Sequence, residues 1–309
     1  MARSSLAVLI PNYNDSQLLP RVLNSVLSQS RVPDEVWVSD DASTDNSLEV
    51  LEDFSLRHPQ IKVLRNQQNA GIPENSFRPF RVTECDYIYT LATDEYLVDP
   101  DIFQKASDIL DSYPTLGMVC WDHTTIHPDG QIFSVRLQES AGALSPDEVA
   151  QRLALAPFPL LTNNALMRRS ACMEPGTLCP EAAWNSDWIC CLNIAFRHGL
   201  YYLPGIYNHF PVRSDGIAER SRMFIHQPLR KILDVLNERA YADVRPYYVK
   251  SKAIAFFIPE SVEVLLTRPA NWEYLSLRML VRYCKVKLVN MIPGGRRFLK
   301  RLKKWRGLK

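Results

Sequence analysis

The first hundred residues alternate short apolar runs with stretches of helical period, and each apolar run ends in polar side chains. Residues 6–10 are continuously apolar, as a strand covered on both faces should be. Residues 16–30 place Leu18, Leu19, Val22, Leu23, Val26 and Leu27 at helical spacing, with Asp15 or Ser16 as the cap and Pro20 in the tolerant first turns. A second strand over 35–39, a second helix over 45–57 and a third strand over 61–65 follow. Residues 66–75 read as a polar loop holding Gly71 and Pro73, then a short helix leads to a fourth strand over 86–91. This alternation predicts an α/β fold with a mostly parallel sheet flanked by helices. In such a sheet the loops after successive strands share one edge, and open α/β folds bind ligands there.

Three of those loops are rich in chemistry. They read Pro11-Asn12-Tyr13-Asn14, then Ser39-Asp40-Asp41-Ala42-Ser43-Thr44-Asp45, then Thr93-Asp94-Glu95. Together they offer an aromatic face for a base, carboxylates for base and ribose hydrogen bonds, and a pair of hard oxygen donors suited to Mg²⁺ or Mn²⁺ on a diphosphate. The plainer alternatives are that Asp94 and Glu95 cap a following helix and that Asp40 and Asp41 form a turn before one.

Beyond Pro100 the pattern changes. A helix over 101–112 precedes strands over 117–123 and 131–135 around the turn Pro128-Asp129-Gly130. A helix over 145–155 opens with Ser-Pro-Asp-Glu, a helix over 188–198 follows, and a short strand covers 201–204. From about residue 221 the chain reads as helices, with a boundary expected near 215–222.

At 309 residues, 46% hydrophobic and 23% charged, the chain has the composition of a globular protein with a full core. Its seven cysteines are odd in number and form no C-x-x-C pair, which argues against a zinc site or a disulfide framework and for a reducing, cytoplasmic setting. No stretch approaches the ~18 uninterrupted apolar residues of a membrane span. The net charge of +2 hides a segregation: residues 296–309 carry eight basic side chains and no acidic one, leaving 28 basic against 34 acidic residues elsewhere. A basic tail on an acidic body is not a nucleic-acid-binding face.

The motifs resemble those of the family 2 glycosyltransferases of the GT-A fold. The matching segments are LAVLIPNYN, VSDDASTD, the Asn69-Ala-Gly run and YTLATDE, with Asn164-Ala-Leu-Met-Arg-Arg169 and Trp184-Asn-Ser-Asp187-Trp further on. The resemblance covers roughly residues 5–215. It implies a glycosyltransferase domain over 1–220, with a nucleotide-sugar half over 1–100 and an acceptor half over 101–220, followed by a helical region over 221–309. It assigns Pro11, Tyr13, Asn14, Asp40, Asp41, Asn69, Asp94 and Arg213 to the donor, with Tyr13 flanking the base, Asp41 accepting from base or ribose, and Arg213 near the diphosphate. It assigns Asp94 and Glu95 to a Mn²⁺ or Mg²⁺ ion and Asp187 to catalysis as general base in an inverting single displacement. On its residues alone, Asp187 could equally cap the helix that follows it.

Departures from the family pattern are Ala92 and Glu95 in the acidic motif, Pro73-Glu74-Asn75 after the Asn-x-Gly run, and Asn185-Ser186 before Asp187. The expected donor is a nucleotide sugar, with UDP the default, and the expected acceptor a glycan or lipid-linked glycan. A catalytically idle sugar-nucleotide-binding module is the alternative. A nucleotidyltransferase is disfavoured, because Pro11-Asn-Tyr-Asn-Asp15 is not a Gly-rich phosphate loop. In the tail, Phe298, Leu299, Leu302, Trp305 and Leu308 share a helical face among basic residues, a pattern suited to peripheral contact with the cytoplasmic face of a membrane.

Overall fold

The computed structural model describes residues 3–156, 158–212, 226–257 and 259–291. Twelve strands are described: β1 Leu6–Asn12, β2 Glu35–Asp40, β3 Ile61–Arg65, β4 Tyr87–Thr90, β5 Tyr96–Leu97, β6 Met118–Trp121, β7 His123–Ile126, β8 Ile132–Val135, β9 Gly142–Leu144, β10 Ala165–Arg168, β11 Leu200–Leu203 and β12 Asn208–Pro211. The helices of the first part are α1 Leu19–Leu27, α2 Ser47–Arg57, α3 Ile72–Val82, α4 Ile102–Ser112, α5 Pro146–Leu155, α6 Arg169–Cys172 and α7 Ser186–His198. Then come α8 His226–Val235, α9 Arg245–Ser251, α10 Glu260–Leu266 and α11 Leu277–Met291.

Eight strands form the main sheet in the order β3-β2-β1-β4-β10-β6-β11-β9. The pairs β3-β2, β2-β1 and β1-β4 are parallel, β10 runs antiparallel to both neighbours, and β6-β11 is again parallel. A second sheet has the order β5-β12-β7-β8. Strand β1 is covered on both faces, as its unbroken apolar run requires: Leu6 to Ile10 are all fully buried. Its side chains alternate between two cores. Ala7 and Leu9 join Phe77, Phe80, Met118, Met167 and Ile189 on one face, while Leu6, Val8 and Ile10 join Val22, Phe54, Tyr89, Phe103 and Trp121 on the other. The described C-terminal helices share the first of these cores through Leu229, Leu233, Tyr248, Leu265 and Met279.

Local chemistry moved several boundaries. The first helix begins at Leu19 rather than Ser16, because residues 14–16 are drawn toward the loop after β2. The Asn14 N–H donates to Ser43 Oγ at 2.9 Å, and the Ser16 N–H to Asp45 Oδ2 at 2.9 Å. The polar loop expected over 66–75 ends at Gly71, whose φ of 82° caps α3. The strand expected over 117–123 breaks at Asp122, which is fully buried, so that β6 belongs to the main sheet and β7 to the small one. Helix α5 has the capping box that its Ser145-Pro-Asp-Glu148 opening demands: each side chain bonds the other's backbone N–H.

Candidate active site

Parallel pairing of β2, β1 and β4 places the carboxyl ends of all three strands on one edge. Asn12 stands opposite Asp40, and Leu9 opposite Thr90. The three polar loops are tied together there by their own side chains. Asn14 Oδ1 accepts from the Thr44 N–H at 2.7 Å, and Thr93 Oγ1 donates to Asp15 Oδ2 at 2.5 Å. Asn14 reaches this position with a left-handed φ of 55°, which Asn tolerates better than most residues. Tyr13 is 47% exposed beside this loop, free to offer its ring to a ligand.

The two aspartates after β2 have distinct partners. Asp40 is fully buried and accepts from Asn12 Nδ2 at 2.8 Å, from the Ser43 N–H at 3.0 Å and from Ser43 Oγ. Asp41, 3% exposed, accepts from Asn66 Nδ2 at 2.7 Å and from the N–H groups of Ala70 and Gly71 at 2.8 and 3.0 Å. Asp41 thereby organises the loop after β3 and places a negative charge at the N-terminus of α3. Neither carboxylate caps α2, whose N-cap is Asn46. Asn75 completes the cluster: it accepts from Ser39 Oγ at 2.7 Å and donates to the Ser39 carbonyl at 3.0 Å. Beside Asp41 lies an open cleft of about 500 Å³ lined by Ala42, Ser43, Arg65, Asn66 and Gln67. Asn69, exposed, accepts from the Gly71 N–H and marks the far side of this loop. We expect Asp41→Ala to cost about 1–3 kcal/mol, because it removes a buried charged acceptor shared by Asn66 Nδ2 and the N–H groups of Ala70 and Gly71. Urea unfolding measures the loss, and hydrogen exchange should quicken at Ala70 and Gly71.

Asp94 and Glu95 do not cap a helix. Glu95 leads into β5, and the next helix starts at Ile102 with Asp101 as its N-cap. Glu95 is 2% exposed. Its Oε1 accepts from Asn163 Nδ2 at 2.6 Å and its Oε2 from the Ala92 N–H at 3.1 Å. Burial pushes its carboxyl up to about 8, and the charges of Asp94 and, more weakly, Asp187 add to that rise against the pull of the two hydrogen bonds. Asp94 is partly exposed, and its backbone carbonyl accepts from Arg21, whose guanidinium lies 4.6 Å from the centre of the Tyr96 ring.

Asp187 lies in the first turn of α7, not at its cap, which is Asn185. Its Oδ1 accepts from the Trp188 N–H at 2.7 Å. The side chain is densely surrounded yet still reached by solvent, and burial raises its carboxyl to about 6. Just upstream, Ala183 adopts φ 53° and ψ −126°, a strained conformation for a residue with a Cβ and one that turns the chain into α7.

The residue that sequence reasoning missed is Asn163. Antiparallel β10 begins at the edge where β4 ends, with Leu166 opposite Tyr89, so the turn before β10 falls directly against Glu95. Tyr89 Oη and Asn208 Nδ2 hold the Asn163 carbonyl at 2.7 and 3.0 Å. The only sequence signal was Thr162-Asn-Asn164, three polar residues before an apolar triplet, all of them buried. Several buried polar atoms at this edge carry no hydrogen bond: Asn12 Oδ1, Thr90 Oγ1, Asn163 Oδ1 and Asn185 Nδ2. Orphaned polar atoms are costly, and a polar ligand bound at this edge would satisfy them. Arg213 and residues 296–309 lie outside the described residues.

The donor chemistry fits a divalent cation. Asp94 and Glu95 are hard oxygen ligands, and each Glu95 oxygen uses one lone pair on a protein donor, leaving the other for a metal. Among the described residues no group of three or more His, Cys, Asp or Glu side chains forms a complete cage. Mg²⁺ and its like are commonly held by one or two carboxylates together with substrate phosphates.

A mostly parallel sheet with helices on both faces and acidic loops on its carboxyl edge is the architecture of the GT-A nucleotide-diphospho-sugar transferases. Residues 7–134 match the family described as Glycosyl transferase family 2. A chondroitin synthase of Escherichia coli and a hyaluronan synthase of Pasteurella multocida are each 30% identical over 129 residues, or 42% of this chain. That stretch is 18% and 13% of their lengths, so the chain spans less than a fifth of these curated relatives. Among solved structures, S. aureus TarS in complex with UDP-GlcNAc has a TM-score of 0.63 at 16% identity, covering 94% of this chain and 82% of that one. The mannosyltransferase PcManGT from Pyrobaculum calidifontis, in complex with GDP-Man and Mn²⁺, has a TM-score of 0.60 at 15% identity, covering 96% and 84%. The fold is GT-A, and residues 7–134 resemble a glycosyl transferase family 2 domain.

Proposed function

We propose that the protein is an inverting glycosyltransferase that moves a sugar from a nucleoside-diphosphate sugar, with UDP favoured, to a hydroxyl of a glycan or lipid-linked glycan. The observation that carries this reading is that buried Glu95 lies within electrostatic reach of both Asp94 and Asp187, close to the edge that bears Tyr13 and the Asp41 cleft. The base enters the cleft beside Ala42 and Asn66, with Tyr13 flanking it. Asp41 orients the loop that forms the wall, and its Oδ2, which carries a single hydrogen bond, accepts from the base. Asp40 acts behind it, fixing Asn12 and Ser43.

Asp187 takes the proton of the acceptor hydroxyl as that oxygen forms its bond to the anomeric carbon. The bond from that carbon to the diphosphate oxygen breaks on the opposite face, the electron pair leaves with the nucleoside diphosphate, and the anomeric configuration inverts. A divalent cation held by Asp94 and Glu95 would supply Lewis-acid charge to the departing diphosphate. An acceptor-side carboxyl near 6 is well matched to this task, since a general base works best near the working pH. One observation favours an idle binding module instead: both Glu95 oxygens are already engaged by the protein. Release of free nucleoside diphosphate from a panel of UDP- and GDP-sugars, with and without Mn²⁺, separates the two. The active reading fails if a sugar nucleotide raises the melting temperature yet no diphosphate appears with any acceptor.

Membrane contact is part of the same proposal. No helix among the described residues is long and apolar enough to cross a membrane. Helix α11, which leads into the basic tail, exposes Leu277, Val281, Cys284, Leu288 and Met291 at successive helical turns, with Leu277 and Met291 each 78% exposed. An apolar stripe flanked by Arg278, Arg282, Lys285 and Lys287 suits an anionic lipid surface. Each basic residue near such a surface adds roughly 1 kcal/mol. Ending the chain at Gly295 should therefore lower co-sedimentation with phosphatidylglycerol vesicles by at least tenfold. Unchanged sedimentation removes the tail from the proposal.

A further inference from the structure

Away from the carboxyl edge, a cavity of about 400 Å³ opens between α5, α7, the segment 251–256 and α11. Its size falls in the range of ligand pockets. The deep wall is apolar: Leu153, Phe158, Trp188, Leu192 and Met279 are each at most 6% exposed. Trp188 immediately follows Asp187, so the cavity runs along the flank of the helix whose first turn bears the proposed base.

The mouth has a different character. Lys252, Arg278, Arg282 and Lys285 line it, and no acidic residue does. Arg282 and Lys285 are exposed, and neither joins an ion pair among the described residues. Arg278 is held in place by the carbonyls of Ala154 and Leu155, the latter at 2.7 Å. Lys252 sits at the C-terminus of α9 with a left-handed φ of 52°, uncommon for a residue with a Cβ, and burial lowers its pKa. An apolar interior with a cationic rim is complementary to an amphiphile with a hydrocarbon chain and an anionic head, and Arg pairs with phosphate in bidentate geometry.

We propose that this cavity takes the aliphatic chain of a lipid phosphate, with the phosphate at the Arg282–Lys285–Lys252 rim. The inference deepens the glycosyltransferase reading and rests on it for its meaning: the cavity would hold the lipid end of a lipid-linked acceptor while the acceptor hydroxyl is presented to Asp187. The exposed apolar stripe of α11, which shares Val281 with the cavity wall, gives such a chain a route from a membrane surface.

The test is titration of the full chain with farnesyl phosphate below its micelle concentration, read by tryptophan fluorescence and by calorimetry, with farnesol and inorganic phosphate as separate arms. Farnesyl phosphate should saturate one site, farnesol should bind at least tenfold more weakly, and inorganic phosphate should not bind measurably. Arg282→Glu/Lys285→Glu, at exposed positions that leave the core untouched, should weaken binding at least tenfold, and Met279→Trp should abolish it by filling the cavity. Asp187→Asn should bind like the parent, so that failure of the transfer chemistry and failure of lipid binding are read separately. Equal binding of farnesol, equal binding of inorganic phosphate, or indifference to the rim substitutions would overturn the proposal. So would binding seen only after the chain is ended at Met291, since the tail would then be the cavity's own occupant.

Discussion

Asp187→Asn should lower the turnover of sugar transfer by about 10²–10⁴-fold, the range over which a positioned general base acts, with little change in donor affinity. The substitution keeps the shape of the side chain and an oxygen to accept from the Trp188 N–H, so α7 retains its first turn. It removes only the ability to take a proton. Burial has already raised this carboxyl to about 6, so the parent should lose activity as the pH falls through 6, where the base becomes protonated. A kcat profile from pH 5 to 8 checks the limb, and calorimetry with UDP checks that donor binding is intact. Full transfer by the Asn variant would remove the central residue of the mechanism.

Glu95→Gln should separate architecture from ion binding. Without metal the Glu95 carboxyl titrates near 8 in the folded chain against an unfolded reference of 4.5. The folded state therefore holds the extra proton between those values, and stability must fall as pH rises from about 4.5 to 8. For a buried group the loss is on the order of 5 kcal/mol across that window. Gln cannot ionise, so in EDTA the variant should lose this contribution: between pH 6 and 8, above the range in which Asp187 titrates, its melting temperature should fall less than the parent's and lie above it at pH 8. Asn163 Oδ1, buried without a partner, gives the new amide an acceptor after rotation of the Asn163 side chain.

A bound cation reverses the parent's disadvantage by favouring the ionised carboxylate, so Mn²⁺ should stabilise the parent more at pH 8 than at pH 6. The Gln variant should lose most of that Mn²⁺-dependent shift and at least 10²-fold in transfer. A variant with parental Mn²⁺ stabilisation and a parental pH slope would show that Glu95 neither titrates in this window nor meets the metal.

These two residues also show what was legible beforehand. The acid pair after β4 stood out because it ends an apolar run, and Asp187, just before the helix expected over 188–198, because its segment resembles the family pattern. Asn163 did not stand out. Its importance comes from the antiparallel insertion of β10 beside β4, a pairing between positions 68 and more residues apart that no local period announces. Likewise Asp40 and Asp41 look equivalent as neighbours in the chain. One is consumed in fixing Asn12 and Ser43, and the other in holding the loop before α3. The break at Asp122 was hidden for a related reason: a continuous strand and two short strands in different sheets share the same apolar pattern.

What the chain determined by itself was the alternation of strand and helix through residue 112 and the polar character of each strand end. Both are local, set by hydrophobic period, capping chemistry and the intolerance of strands for charge in a two-sided core. What only the tertiary structure decided was which polar ends meet, which carboxylates lose water and so shift their protons, and where an apolar cavity with a basic mouth is left between helices. Those outcomes depend on strand order and on burial, which are properties of packing between distant segments, and no nearest-neighbour pattern in the sequence encodes them.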